Sequence, residues 1–181
     1  MRKFYAWLGA MAMILGLGLL APGPASAAPY CGIYWGSVAE ASAGSTSAPI
    51  TNVRAGRHAC FDRMVIDIRG QHAGYTVKYA NAVRSGGSGK VVQLRGGADL
   101  AVVVDAPAYN RNGNAVYRPS NRMELVNVSN FRTFRQLAMA SSFEGTTTFG
   151  LGVRARLPFR TFTLNDADGG SRVVIDVAHR W

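Results

Sequence analysis

The sequence predicts an all-β fold: a two-sheet β-sandwich with at most one short helix and one disulfide. Three observations lead there. From Ile50 onward, apolar runs rich in Val, Ile, Phe, Tyr and Thr recur about every ten residues, broken by Gly, Asn, Asp and Pro clusters. Helical spacing surfaces in one stretch, where Phe131, Phe134, Leu137 and Ala138 recur within 131–140 and predict one or two helical turns. The segment Arg63-Met-Val-Ile-Asp67-Ile68 is echoed by Arg172-Val-Val-Ile-Asp176-Val177, with four of six positions identical.

Taken in chain order, Arg2 and Lys3 precede an uncharged run from Phe4 to Leu20, then Pro22, Pro24 and Ala25-Ser26-Ala27. That order of charged, apolar and small residues predicts a cleavable signal peptide over 1–27, cut between Ala27 and Ala28. A retained anchor would need about 20 apolar residues, and this run is shorter and holds three glycines. A lipid anchor is disfavoured because Cys31 follows Ala-Pro-Tyr. The processed chain is expected to be secreted, with no transmembrane span, and to divide into an N-terminal segment (28–49) and a sandwich domain (50–181).

Export also bears on Cys31 and Cys60, the two cysteines, which are expected to pair in an oxidising compartment. Closing a loop of about 30 residues contributes roughly 3–4 kcal/mol in the chain-entropy picture. The bond would tie down residues 28–49, whose stretch 41–48 is rich in Ala, Ser and Gly.

Strands are predicted near 50–54, 62–69, 75–80, 90–95, 99–106, 123–128, 146–155, 158–164 and 171–178, with loops at 84–90 and 110–114. Within the echoed segments, alternation puts Met64, Ile66 and Ile68 on one face and Arg63, Val65 and Asp67 on the other. Equivalent places in the two sheets of a pseudo-symmetric sandwich would explain the repeat. Asp67 and Asp176 can be read as a carboxylate pair for acid–base chemistry, or as partners of arginines on neighbouring strands; the second reading is the favoured one.

Without residues 1–27 the chain carries eighteen basic side chains, all arginine except Lys78 and Lys90, against ten acidic ones. Arginine's planar fork suits carboxylates and phosphates, so an anionic envelope polymer or lipid surface is the partner that the charge predicts. Chemistry is harder to find. His58, His72 and His179 stand at no metal-ligand spacing, and Gly86-Gly-Ser-Gly-Lys90 imitates both a nucleophile elbow and a phosphate loop without completing either. No catalytic residue, metal or cofactor is predicted. Asn127-Val-Ser129 matches a glycosylation acceptor but reads better as a strand end. For binding, Arg154, Arg156 and Arg160 share one parity and would form a stripe, joined by Arg132 and Arg135. Tyr34 and Trp35 are a second candidate, either stacking on sugar rings or packing beside the disulfide.

The stretches Asn52-Val-Arg-Ala-Gly-Arg-His58, Phe61-Asp-Arg-Met-Val-Ile-Asp-Ile68 and Ser171-Arg-Val-Val-Ile-Asp-Val-Ala-His179 resemble AMIN and AMIN-like domains. Cys31-Gly-Ile-Tyr-Trp-Gly-Ser37, Leu94-Arg-Gly-Gly97, Phe131-Arg-Thr-Phe-Arg-Gln136, Ser142-Phe-Glu-Gly145 and 150–160 extend the likeness to the stand-alone secreted AMIN-like proteins of actinobacteria, over roughly Tyr30 to Trp181. The resemblance implies a β-sandwich that binds or localises at the bacterial cell envelope through peptidoglycan or an associated anionic polymer, without catalysis. No specific nucleic-acid partner is expected, and any protein partner is left unknown. The alternatives are a general electrostatic polyanion- or protein-interaction module, and an exported hydrolase using distant carboxylates such as Asp67, Asp176 and Glu144.

Overall fold

The computed structural model describes residues 29–181; the signal-peptide reading and its cleavage site, Ala27 and Ala28, lie outside the described residues. The described residues form eleven strands: β1 (Glu40–Ser42), β2 (Ile50–Arg57), β3 (Phe61–Ile68), β4 (Tyr75–Ala80), β5 (Val83–Arg84), β6 (Val91–Val92), β7 (Ala98–Val104), β8 (Phe134–Phe143), β9 (Thr146–Val153), β10 (Phe159–Asn165) and β11 (Ser171–Ala178). They make a five-stranded sheet in the order β1-β4-β7-β9-β8, a four-stranded sheet in the order β10-β11-β3-β2, and the small hairpin β5-β6. All pairings are antiparallel.

The core lies between the two large sheets and follows the period-two pattern. Met64, Ile66 and Ile68 of β3 and Val173, Ile175 and Val177 of β11 face Leu100, Val102 and Val104 of β7 and Phe149, Leu151 and Val153 of β9. On the far side of β9, Gly150 and Gly152 leave room for the chain after β6: a Cβ on either would collide with Leu94 or with the backbone carbonyl of Arg95. Tyr79 ties the sheets at their rim, its hydroxyl donating to Leu157 O at 2.6 Å and accepting from Leu157 N at 2.9 Å. Burial pushes the Tyr79 phenol up to about 12.

Three expectations are overturned. Residues 131–140 hold no helix; β8 occupies Phe134–Phe143 and pairs with β9. Register shifts between Phe134 and Gln136 and between Met139 and Ser141 explain the misleading period, because a bulge adds one residue and puts Phe134 and Leu137 on the same face three positions apart. The strand expected at 123–128 is irregular chain beside β8, held by Leu125 N to Leu137 O and Met139 N to Arg122 O. Asn121 Oδ1 and Asn127 Oδ1 accept from Met123 N and Ser129 N, so these side chains take backbone donors that a ladder would need. The echoed segments do not sit in opposite sheets. β3 and β11 are neighbours in one sheet, with Arg63 opposite Asp176 and Arg172 opposite Asp67 about a centre at Val65 and Val174. Side-by-side antiparallel pairing sets each basic position against the other's acid, which separate sheets would not do.

The predicted disulfide is present, and two further contacts join the chain before β2 to the sheets. Cys31 and Cys60 form a disulfide, Gly36 exchanges backbone hydrogen bonds with Phe159, and β1, missed in the sequence, adds an edge strand to β4.

Candidate functional site

The outer face of the four-stranded sheet carries a built cluster of charge and aromatic rings. On a strand facing solvent one row of side chains points outward, and here Arg160 of β10, Asp176 of β11 and Arg63 of β3 fall on one row across the sheet. Asp176 is fully buried although it points away from the core, because two guanidinium groups cover it. Arg63 grips it with a fork, Nε to Oδ1 at 2.6 Å and Nη2 to Oδ2 at 2.8 Å. Arg160 adds Nε and Nη2 contacts to Oδ2 at 2.9 and 2.8 Å. Two cations on one anion leave a net positive charge and several guanidinium N–H groups uncommitted to it.

Aromatic rings hold both guanidinium groups in place. Arg160 lies over Trp35, Phe61 and Phe162, with its Cζ 5.5, 5.6 and 5.2 Å from the ring centres. Arg63 lies over Phe61 and Phe162 at 5.1 and 5.6 Å. Phe61 stacks on His58 at 4.4 Å and meets Trp35 at 5.8 Å. Each such contact is worth about 0.5–1 kcal/mol at an exposed site, and together they restrict the arginines before any ligand arrives. Next to this platform runs a groove of about 260 Å3, with Val65 and Val174 between Arg54, Arg63 and Arg172. That is smaller than the roughly 300–1,000 Å3 of pockets that enclose a drug-sized ligand, so it suits a chain lying across the sheet.

The sequence-predicted residues are divided among several places. Arg154 and Arg156 fall in the connection from β9 to β10, which crosses from one sheet to the other, so they share no strand face with Arg160. Arg154 donates to His179 O at 2.6 Å, and Arg156 lies 5.0 Å over the Tyr79 ring. Arg135 is spent on the carbonyls of Phe131 and Phe134. Arg132 is exposed and lines a polar hollow with Arg57 and His179. Trp35 packs against Phe61, with its indole N–H on Tyr30 O, whereas Tyr34 is 75% exposed.

Asp67 and Asp176 are each committed to arginine, Asp67 to Arg54 by two bonds of 2.9 Å, and do not act as a carboxylate pair. Glu144 sits in the β8–β9 turn. Sequence reasoning missed Phe61, Arg63 and Phe162. The signal was available in the outward parity of Phe61 and Arg63 on β3, whose arginine belongs to the repeat.

The AMIN-like domain model matches residues 48–179. The chain belongs to the AMIN-like domain family. The AMIN-like region thus supplies Phe61, Arg63, Arg160, Phe162 and Asp176, while Trp35 and β1 come from chain preceding it. Membership groups the protein with modules of the extracytoplasmic envelope. No helix among the described residues is long and apolar enough to cross a membrane. No curated protein and no solved structure matches the chain.

Proposed function

We propose that this AMIN-like protein is a non-catalytic exported module that binds at the bacterial cell envelope, with peptidoglycan or an associated anionic wall polymer as its ligand. The observation that carries the reading is the pair of arginines sharing Asp176 over the rings of Trp35, Phe61 and Phe162. Guanidinium forks of this kind take carboxylates of peptide stems or phosphates of wall polymers, and flat rings beside them suit the faces of sugars. A general polyanion-binding role draws on the spread of exposed arginines without acidic partners among the described residues, such as Arg57, Arg132 and Arg180.

The two readings separate in co-sedimentation of the mature protein with isolated sacculi, with and without their anionic polymers, over a salt series. Retention on stripped sacculi at moderate salt, weakened several-fold by Phe162→Ala, supports wall recognition by the platform. Binding that disappears with the anionic polymers or with modest salt supports the electrostatic reading. Absence of binding in every arm overturns both and directs the search to a protein partner.

A further inference from the structure

The connection from β7 to β8 spans residues 105–133 without a strand, yet it is fastened along its length. Ile50 N donates to Pro107 O at 2.7 Å, Thr147 Oγ1 to Ala106 O at 2.8 Å and Ala108 N to Ser142 Oγ at 2.8 Å. Val116 N and Tyr117 N both return to Ala108 O. Connections longer than about 12–15 residues without structure of their own are uncommon in compact domains and, when ordered, are usually functional. This one, with the edge of β8, encloses a cleft of about 330 Å3, within the range of small-molecule sites.

The lining is chemically specific. Tyr109 and Tyr117 supply aromatic faces, Met139 an apolar surface, and Arg118 and Arg122 two cations, with no acidic side chain among the lining residues. Arg118 is positioned by its Nε donating to Ala115 O at 2.9 Å, which leaves its terminal nitrogens available. Arg122 is held at its backbone, where its carbonyl accepts from Met139 N. Tyr109 Oη accepts from Gly145 N at 2.9 Å, so its own proton remains free to donate. Burial also raises the Tyr117 phenol, keeping it a neutral donor at ordinary pH.

We infer that this cleft is a second ligand site, for a single sugar ring bearing one anionic group, its ring against the tyrosines and its carboxylate or phosphate between Arg118 and Arg122. Polar and apolar contacts converge here as they do in carbohydrate-sized sites, and two arginines in a lining that holds no acidic side chain select an anion. The cleft belongs to the edge of the five-stranded sheet and does not depend on the platform, which occupies the outer face of the other sheet.

Calorimetric titration of the mature protein with three hexosamines tests it: N-acetylglucosamine, N-acetylmuramic acid and N-acetylglucosamine 6-phosphate. At least one charged sugar should bind tenfold or more tighter than the neutral one, and which does so tells carboxylate from phosphate. Arg122→Gln should remove most of that gain while the melting temperature stays unchanged, because the side chain is exposed. Equal binding of all three sugars, no binding of any, binding untouched by both Arg118→Gln and Arg122→Gln, or equal affinity for inorganic phosphate alone would each overturn the assignment.

Discussion

His179 meets Asp62 at 3.1 Å, Nε2 to Oδ1, and joins the end of the last strand to the start of β3. The other oxygen of Asp62 accepts from Thr133 N at 2.6 Å and Phe134 N at 3.1 Å, so one buried carboxylate closes three chain segments together. Asp62→Ala strands two buried N–H groups and the imidazole. A loss of about 2–4 kcal/mol is expected in urea unfolding, with Asp62→Asn intermediate because its amide oxygen still accepts.

The turn from β8 to β9 puts Glu144 at φ 48° and Gly145 at φ 80°. Both central residues of a two-residue hairpin turn of this hand need positive φ, which glycine and asparagine adopt readily and glutamate does not. Glu144→Asn should therefore stabilise the protein by about 0.5–1 kcal/mol, read as a rise in melting temperature.

Gly152→Ala should act in the opposite direction. Its Cβ would run into the carbonyl oxygen of Arg95, which is backbone and cannot swing aside. Displacing the chain after β6 is expected to cost about 1–3 kcal/mol, as overpacking does, with secondary structure preserved by circular dichroism.

Glu40 supplies the pH dependence. Burial raises its carboxyl, against the opposing pull of the hydrogen bond from Thr161 N and the charge of Arg160. A carboxyl raised on folding favours the folded state below its unfolded value near 4.5, and that increment is lost as pH rises through the raised value. Glu40→Gln, neutral throughout and still able to accept from Thr161, should gain stability relative to the parent at pH 7 and little at pH 4, measured by denaturant titration at both.

Much of the fold is legible in the residues because short runs rich in β-branched and aromatic side chains between turn residues advertise strands: Tyr75–Ala80 and Ser171–Ala178 are found where such runs put them. The disulfide, too, follows from the expectation of export and the count of two cysteines. What escapes reading is what depends on register. The bulges of β8 turn a strand period into a helical one, and the place of the repeat depends on which strands neighbour each other, which no local pattern specifies. The candidate site shares that limit. Parity grouped Arg160 with Arg154 and Arg156, but the chain leaves one sheet after Val153 and enters the other at Phe159, so those neighbours in sequence are divided and Arg63, remote in sequence, takes their place.

The bond between Cys31 and Cys60 has a consequence for when the platform exists. It anchors the segment that lays Trp35 against Phe61 and beneath Arg160, so one wall of the surface is held by a covalent link that forms only where thiols are oxidised. In reducing surroundings the segment would be left to the Gly36–Phe159 bridge and the β1–β4 pairing, so Trp35 would be held against Arg160 without a covalent anchor. For a chain exported as proposed above, assembly of the surface would be a late event, set by the redox conditions of the compartment reached.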